Sequence, residues 1–409
     1  MLATDGEPPR STETNRKSGS LPQILAILLS LCLGLFLADA VISLADDSLL
    51  LFAGSNVFSI IRGIVSVLTA LMSVGVYGLM ALTPLVPKRL FLPVTLFNLA
   101  ATLVLFPCAI YYYGHLQQIA WGMSACQVIL ALWLVGWSQG GLRFRWLLVP
   151  VARLNLRCFS WMNSVGFILA NVCVVLPAII AYLFFCSSLA VDHFTDGFMA
   201  LRPGGFTMQV RKYVRDDGKV IELFPMSHVA DSDFYQHVSR TFPTNSIILM
   251  EGVTDSQNLL TNKISYQRMA KSLGLAEQHE AFAPDQGLMV RADVDVSQFS
   301  TNTIALLNLV MLIHVKGATP ENVAQLLEYS PSPQLEDELI DDLLRNRNQH
   351  LLEEIHSHLK QADKIMVPWG VAHMPGVAKG ILKEGFHLAE TQEYLAISFH
   401  GRRNPPQSH

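Results

Sequence analysis

Beyond residue 190 the chain has no cysteine; its six, Cys32, Cys108, Cys126, Cys158, Cys173 and Cys186, all come earlier. The second half therefore holds neither a disulfide nor a thiol nucleophile, which excludes cysteine-protease chemistry there. No Cys-x-x-Cys spacing occurs, which speaks against a zinc knuckle. Also missing are a Gly-x-Ser-x-Gly elbow, a His-Glu-x-x-His helix, a P-loop and a dinucleotide-binding glycine cluster. With a net charge of −4 and no basic stripe, the chain has nothing to neutralise a phosphate backbone, so no nucleic-acid partner is expected. Charge is scarcest between residues 21 and 190, where long apolar runs are broken by few ionisable side chains.

The apolar fraction of 51% thus averages two unlike halves. Residues 1–20 are polar and read as a disordered tail. Apolar runs follow at about Leu21–Leu44, Ile61–Val86, Leu90–Tyr113, Gln118–Trp137 and Trp161–Cys186. Each is long enough to cross a hydrocarbon layer of roughly 30 Å, so residues 21–190 are expected to form a five-span membrane domain in the bilayer. Arg10, Arg16 and Lys17 lie in the tail, Lys88 and Arg89 in the second loop, and Arg143, Arg145, Arg153 and Arg157 in the fourth. The first loop has Asp46 and Asp47, and the third has no Lys or Arg. That alternation predicts a cytoplasmic N-terminus, and five spans then leave the C-terminal domain extracytoplasmic. Asp39 and Arg62 either pair with each other or reach the outer interface. Leu142–Arg157 reads as a surface-lying helix or a plain loop. So few charges in the spans suggest an anchor rather than a transporter.

Residues 191–400 have ordinary soluble composition, and 401–409 read as a loose tail. Strands are predicted at Phe206–Val214 and Lys219–Phe224, joined through Asp216-Asp217-Gly218, and at Ser246–Met250, Ile365–Pro368 and Glu393–Phe399. Helices are predicted over 258–279, Thr303–Ile313 (buried), Glu321–Tyr329, Leu335–Lys360 and 374–384. The expected class is an α-helical membrane domain followed by an α/β domain with a mixed sheet flanked by helices.

Two stretches repeat one arrangement. Ile365–Pro368 is followed by a turn containing Gly370 and His373, then by a helix with Pro375 in its first turn. Lys219–Pro225 is followed by a turn carrying His228, then by a helix that Asp231 or Ser232 can cap. Ligands collect at the carboxyl ends of strands in open α/β sheets. The two histidines either meet over one sheet and share a metal or sit in unrelated loops.

On these residues the stretch 205–400 resembles the TraB/PrgY and Tiki family, whose members share two Gly-x-x-His motifs and an intervening acidic residue. The second motif is Gly370-Val371-Ala372-His373, followed by Met374-Pro375-Gly376. The first is degenerate: Pro225-Met226-Ser227-His228 keeps the His and replaces the Gly. Glu251, at the end of Ile247–Met250, matches the acidic position, and Arg347-Asn348 resembles the family's Arg-Asn/Asp pair. The resemblance implies an α/β fold built from two related halves and a metal-dependent hydrolase, a peptidase in the Tiki branch.

Imidazole and carboxylate ligands suit Mn, Co or Zn, and two His and one Glu with an open position would acidify a bound water. His228 and His373 are assigned as metal ligands, and Glu251 as third ligand or general base, its bland alternative being a turn cap. Arg347 is assigned to a substrate carboxylate or oxyanion, against a solvated helix charge, with Asn348 as hydrogen-bonding support. His237, His350, His356 and His358 read as surface residues. Asp293 and Asp295 alternate in an extended segment that suits either a metal or solvent, and Tyr266 and Gln286 are unranked candidates. The leading expectation is a membrane-anchored extracytoplasmic hydrolase acting on peptides. The alternatives are a non-catalytic module that sequesters a peptide signal, and a sensor or transporter accessory in which the spans do the work.

Overall fold

In the computed structural model, residues 20–400 are described apart from 142–144, 146, 156, 262–265, 318, 322–323 and 325–333. The chain divides into two units, Met1–Cys186 and Ser187–His409.

Five helices in the described chain are long and apolar enough to cross a membrane. They are α1 (Ser20–Ala53), α2 (Ser59–Leu82), α3 (Lys88–Tyr111), α4 (Leu116–Gln139) and α5 (Trp161–Thr195). Leu29, Leu33 and Phe36 of α1 interlock with Met80, Phe91 and Leu134 of the next three helices in one apolar core. The first helix runs further than its apolar stretch predicts. Asp46 and Asp47, expected in a loop, are helical and buried. They remain in the bundle because Arg62 donates to Asp46 at 3.2 Å and to Asp47 at 2.6 Å, and Ser124 donates to Asp47 at 2.5 Å. Arg62 therefore pairs with these two carboxylates and not with Asp39, which accepts from Ser66 at 2.5 Å and Gln127 at 2.9 Å. A carboxylate in an apolar bundle costs too much unless donors surround it. Between α4 and α5 the described residues contain one short turn, Val151–Arg153, and no longer helix.

The C-terminal unit is built on a seven-stranded mixed sheet. Its strands are β1 (Met199–Arg202), β2 (Gly205–Val214), β3 (Val220–Met226), β5 (Ile247–Met250), β7 (Leu288–Arg291), β8 (Lys364–Gly370) and β9 (His387–Ser398). The order is β1-β2-β3-β8-β5-β7, with β9 antiparallel along β2. The expected hairpin joins β2 to β3, its turn closed by Gly218 at φ +82°. From β3 onward every pairing in the order is parallel. Strands β4 (Val229–Ala230) and β6 (Ala276–Glu277) form a separate two-stranded ladder.

Alternation along the strands makes two cores. Ile221, Leu223, Ile247, Leu249, Ile365 and Val367 face α11 (Asn346–His358) and α12 (Met374–Lys383), meeting Leu351, Ile355, Val377 and Ile381. Phe224, Met226, Ile248 and Met366 face the other way, onto Phe234, Tyr235 and Val238 of α6 (Ser232–Ser239).

Several expectations change. The stretch 258–279 is not one helix: α7 covers Gln267–Leu273 and stops at Gly274, whose φ of +67° ends it, and the chain then enters β6 and α8 (Gln278–Ala281). Residues 262–265 lie outside the described residues. The apolar helix α9 (Thr301–Lys316) buries Thr303 and Met311 but leaves Val310 and Val315 exposed, so it is half-buried rather than internal. Most of Glu321–Tyr329 lies outside the described residues. The helix expected at Leu335–Lys360 is α10 (Leu335–Ile340) and α11 joined through a π-turn, Asp341–Arg345.

Candidate functional site

Parallel pairing brings the carboxyl ends of β3, β8, β5 and β7 side by side. Met226 pairs with Gly370, Ile247 pairs with both Ile365 and Leu288, and Met250 pairs with Arg291. His228, His373, Glu251 and Asp293 each follow the end of one of these strands within three residues. They rise at one sheet edge, where an open α/β sheet collects its chemistry. The two His-bearing turns are staggered by one position, since Pro225 pairs with Trp369 rather than with Gly370.

Arg347 ties the group together. Its Nε and Nη2 donate to Asp293 at 2.9 and 2.7 Å, Nη2 also reaches Glu251 Oε1 at 2.9 Å, and Nη1 reaches the Leu343 carbonyl at 3.3 Å. The guanidinium lies 5.4 Å over the buried Trp369 ring, whose Nε1 donates to the Leu249 carbonyl. Burial opposes its charge, yet the hydrogen bonds and field of Asp293 and Glu251 more than offset this and raise its pKa. These donors are turned inward, so Arg347 is neither a solvated helix charge nor a free clamp for a substrate carboxylate. Glu251 does not merely cap a turn: its second oxygen accepts from the Gly370 backbone N–H at 2.5 Å. A Cβ on residue 370 would lie 3.2 Å from that oxygen, so any larger residue would have to push the carboxylate back by a few tenths of an ångström.

His373 is buried. Its Nδ1 sits 2.7 Å from Asn348 Oδ1, and its Nε2 faces Glu251 Oε1 at 3.5 Å. Burial, reinforced by the Arg347 charge, pushes its pKa down to about 4, so the ring is neutral near pH 7. With Asn348 Oδ1 as the acceptor of an Nδ1 proton, Nε2 is the ring nitrogen left to face a carboxylate oxygen with its lone pair. Two acceptors facing each other without a shared proton are complementary to a cation. Glu251, Asp293 and Arg347 together leave one net negative charge, of the sign a divalent ion needs.

His228 stands at the rim, exposed, its ring stacked on Tyr266 at 4.8 Å with an interplanar angle of 6°. The ladder of β4 and β6 holds this pair. Val229 is registered with Glu277, Gln278 N donates to the His228 carbonyl at 2.9 Å, and Tyr266 N donates to Glu277 Oε1 at 2.9 Å.

His228, Glu251 and His373 do not form a tight ligand set. Among the described residues, the group of three whose ligand atoms lie within 4.8 Å of one another is Glu277, His279 and Glu280, and it could hold a metal ion. His237 and His356 are exposed and His350 and His358 half-buried, and none joins the cluster. Gln286 accepts from Thr244 and lies apart.

Sequence reasoning undervalued Asp293. Its side chain is fully buried and holds Arg347, whereas Asp295 accepts from Thr254 and Ser256 of the segment bridged to it and from the Ser297 N–H of its own turn. The Asp-x-Asp alternation was visible. The preceding strand, which would have put Asp293 at the sheet edge, spans four residues with three exposed side chains and leaves little pattern. No protein-family model matches the chain, and no curated protein or solved structure matches it either.

Proposed function

We propose that the C-terminal unit is a metal-dependent hydrolase tethered to the membrane by the five apolar helices. The observation that carries this reading is the His373 Nε2 lone pair facing Glu251 Oε1 at 3.5 Å in a cluster of net negative charge. His373 and Glu251 would hold the ion, with His228 approaching from the rim. A divalent ion bound there would lower the pKa of a water and polarise a carbonyl. Asn348 fixes the His373 tautomer, and Arg347 with Gly370 N–H fixes the Glu251 carboxylate. Asp293 holds Arg347, and Tyr266 supports the His228 ring. Peptide as the substrate class rests on the resemblance to TraB/PrgY and Tiki proteins alone. The alternation of Lys and Arg among the loops supports a cytoplasmic N-terminus and an extracytoplasmic C-terminal unit.

The test is elemental analysis of the purified full-length protein after loading with Mn, Co or Zn, beside His373→Ala, Glu251→Gln, His228→Ala and His279→Ala. Near-stoichiometric metal lost in the first two variants and retained in His279→Ala is the expected result. Metal lost only in His279→Ala would assign it to the Glu277 group. A folded protein that takes up no metal would end the hydrolase reading in favour of a peptide-binding module.

A further inference from the structure

The N-terminal unit has a cavity of about 480 Å³ whose lining includes Lys88, Arg89, Trp137, Arg153, Asn155 and Asn163. The volume is in the range of small-molecule sites. It lies where α2 and α4 end and α3 and α5 begin, at one end of the helices rather than at mid-span.

Three cations line it, and none of the described acids of this unit pairs with them. Between residues 21 and 190 the only acids are Asp39, Asp46 and Asp47. The last two are held by Arg62 and the first by Ser66 and Gln127. The cavity cations are positioned by neutral partners instead. Lys88 Nζ donates to Asn163 Oδ1 at 2.5 Å, and the Asn163 amide donates to the last carbonyls of α2, Met80 and Ala81, at 3.1 Å each. Arg153 donates from Nε to the Ser138 carbonyl at 3.0 Å and from Nη2 to the Trp137 carbonyl at 2.8 Å. The Asn155 amide donates to the Pro84 carbonyl at 2.5 Å. Arg89 is exposed at the start of α3. These bonds hold two of the cations in place through neutral partners, which leave their charge intact.

We propose that this cavity binds a phosphate-bearing anion, supplied by the headgroup of an anionic phospholipid. Phosphate oxygens accept several charge-assisted hydrogen bonds at once, and a basic pocket between transmembrane helix ends is where a headgroup phosphate would meet them. Trp137, partly exposed on the lining, is the amphipathic ring such an interface favours. A free phosphate ion offers the same chemistry, and titration separates the two sources.

The full chain, stripped of lipid in a mild detergent, is titrated with short-chain phosphatidylglycerol, short-chain phosphatidylcholine and inorganic phosphate, and tryptophan fluorescence and melting temperature are followed. The expected result is saturable binding of phosphatidylglycerol at least tenfold tighter than phosphatidylcholine. It should weaken at least tenfold in Lys88→Gln/Arg89→Gln and stay unchanged in Arg145→Gln, a cation outside the lining. Inorganic phosphate binding as tightly, with the same loss in the double variant, would uphold the phosphate site and assign it to the free ion. Equal affinity for the two lipids, or an undiminished response in the double variant, would overturn the proposal. Should the double variant fail to fold by size exclusion, Arg89→Gln alone carries the test, since this exposed side chain caps no helix.

Discussion

Burying Arg347 against Trp369 takes a guanidinium out of water, and Asp293 makes that tolerable by accepting two of its donors at 2.9 and 2.7 Å. Burial by itself would raise the pKa of Asp293. Arg347 and the backbone N–H groups of Gly252 and Val294 outweigh burial, so the pKa is lowered. Replacing Asp293 with Asn should leave a buried cation short of a partner and cost about 3–5 kcal/mol, read as a lower melting temperature of the full chain at pH 7. A depressed carboxylate pKa stabilises the fold at pH values above the unfolded value of about 3.9. That contribution is lost as the pH falls through the lower folded value. The wild type should therefore show an acid-side loss of stability that Asp293→Asn lacks. An Asn variant melting with the wild type at pH 7 would remove Asp293 from this role. The uneven legibility of the site has the same physical origin. His373 and Gly370 share one turn and could be seen together. Asp293 and Arg347 are 54 residues apart, and only the parallel pairing of β5 with β7 reveals them as partners.

At the scale of elements, the site depends on how closely α12 approaches α11. A Cβ on Gly376 would collide with the Asn348 side-chain amide, and one on Gly380 with the Leu352 methyls. Two glycines four apart on one helix face thus let the partner helix in, and Asn348 reaches His373 because of it. Gly376→Ala is expected to displace Asn348, break its 2.7 Å contact with His373 and reduce metal uptake more than it lowers the melting temperature. Gly380→Ala meets only an apolar side chain, and should cost about 1–3 kcal/mol by overpacking while leaving metal uptake intact. Equal losses of metal in both variants would show that the helix contact, not Asn348, governs the site. Long periodic elements such as β2, β3 and α12 could be read from the chain. The two-residue strands β4 and β6 could not, because a ladder so short has no period, and it exists only through the pairing of Val229 with Glu277 and of Ala230 with Ala276. That ladder takes over where Gly274 ends α7, inside the helix expected over 258–279.

Across the whole molecule, charge is sorted along the spans. The acids Asp39, Asp46 and Asp47 all belong to α1, with Arg62 beside the last two, while Lys88 and Arg89 open α3 and Arg145, Arg153 and Arg157 lie between α4 and α5. The number of spans was legible because apolar length alone decides it. The extension of α1 through Asp46 and Asp47 was not, since the partners that make buried carboxylates acceptable lie on α2 and α4. Five spans would put the two ends of the chain on opposite sides, and the alternation of positive charge among the loops predicts a cytoplasmic N-terminal tail. The absence of cysteine after residue 190 makes this simple to check. With the six native cysteines replaced by alanine, a single cysteine is placed at Ser11 (Ser11→Cys) or at the exposed Gln361 (Gln361→Cys). A membrane-impermeant maleimide added to intact cells should label Gln361→Cys at once and Ser11→Cys only after permeabilisation. Labelling of both sites in intact cells would mean an even number of crossings, and the reverse pattern would put the candidate site in the cytoplasm. Only the reverse pattern would move any substrate to the other side of the membrane, whatever metal the site holds.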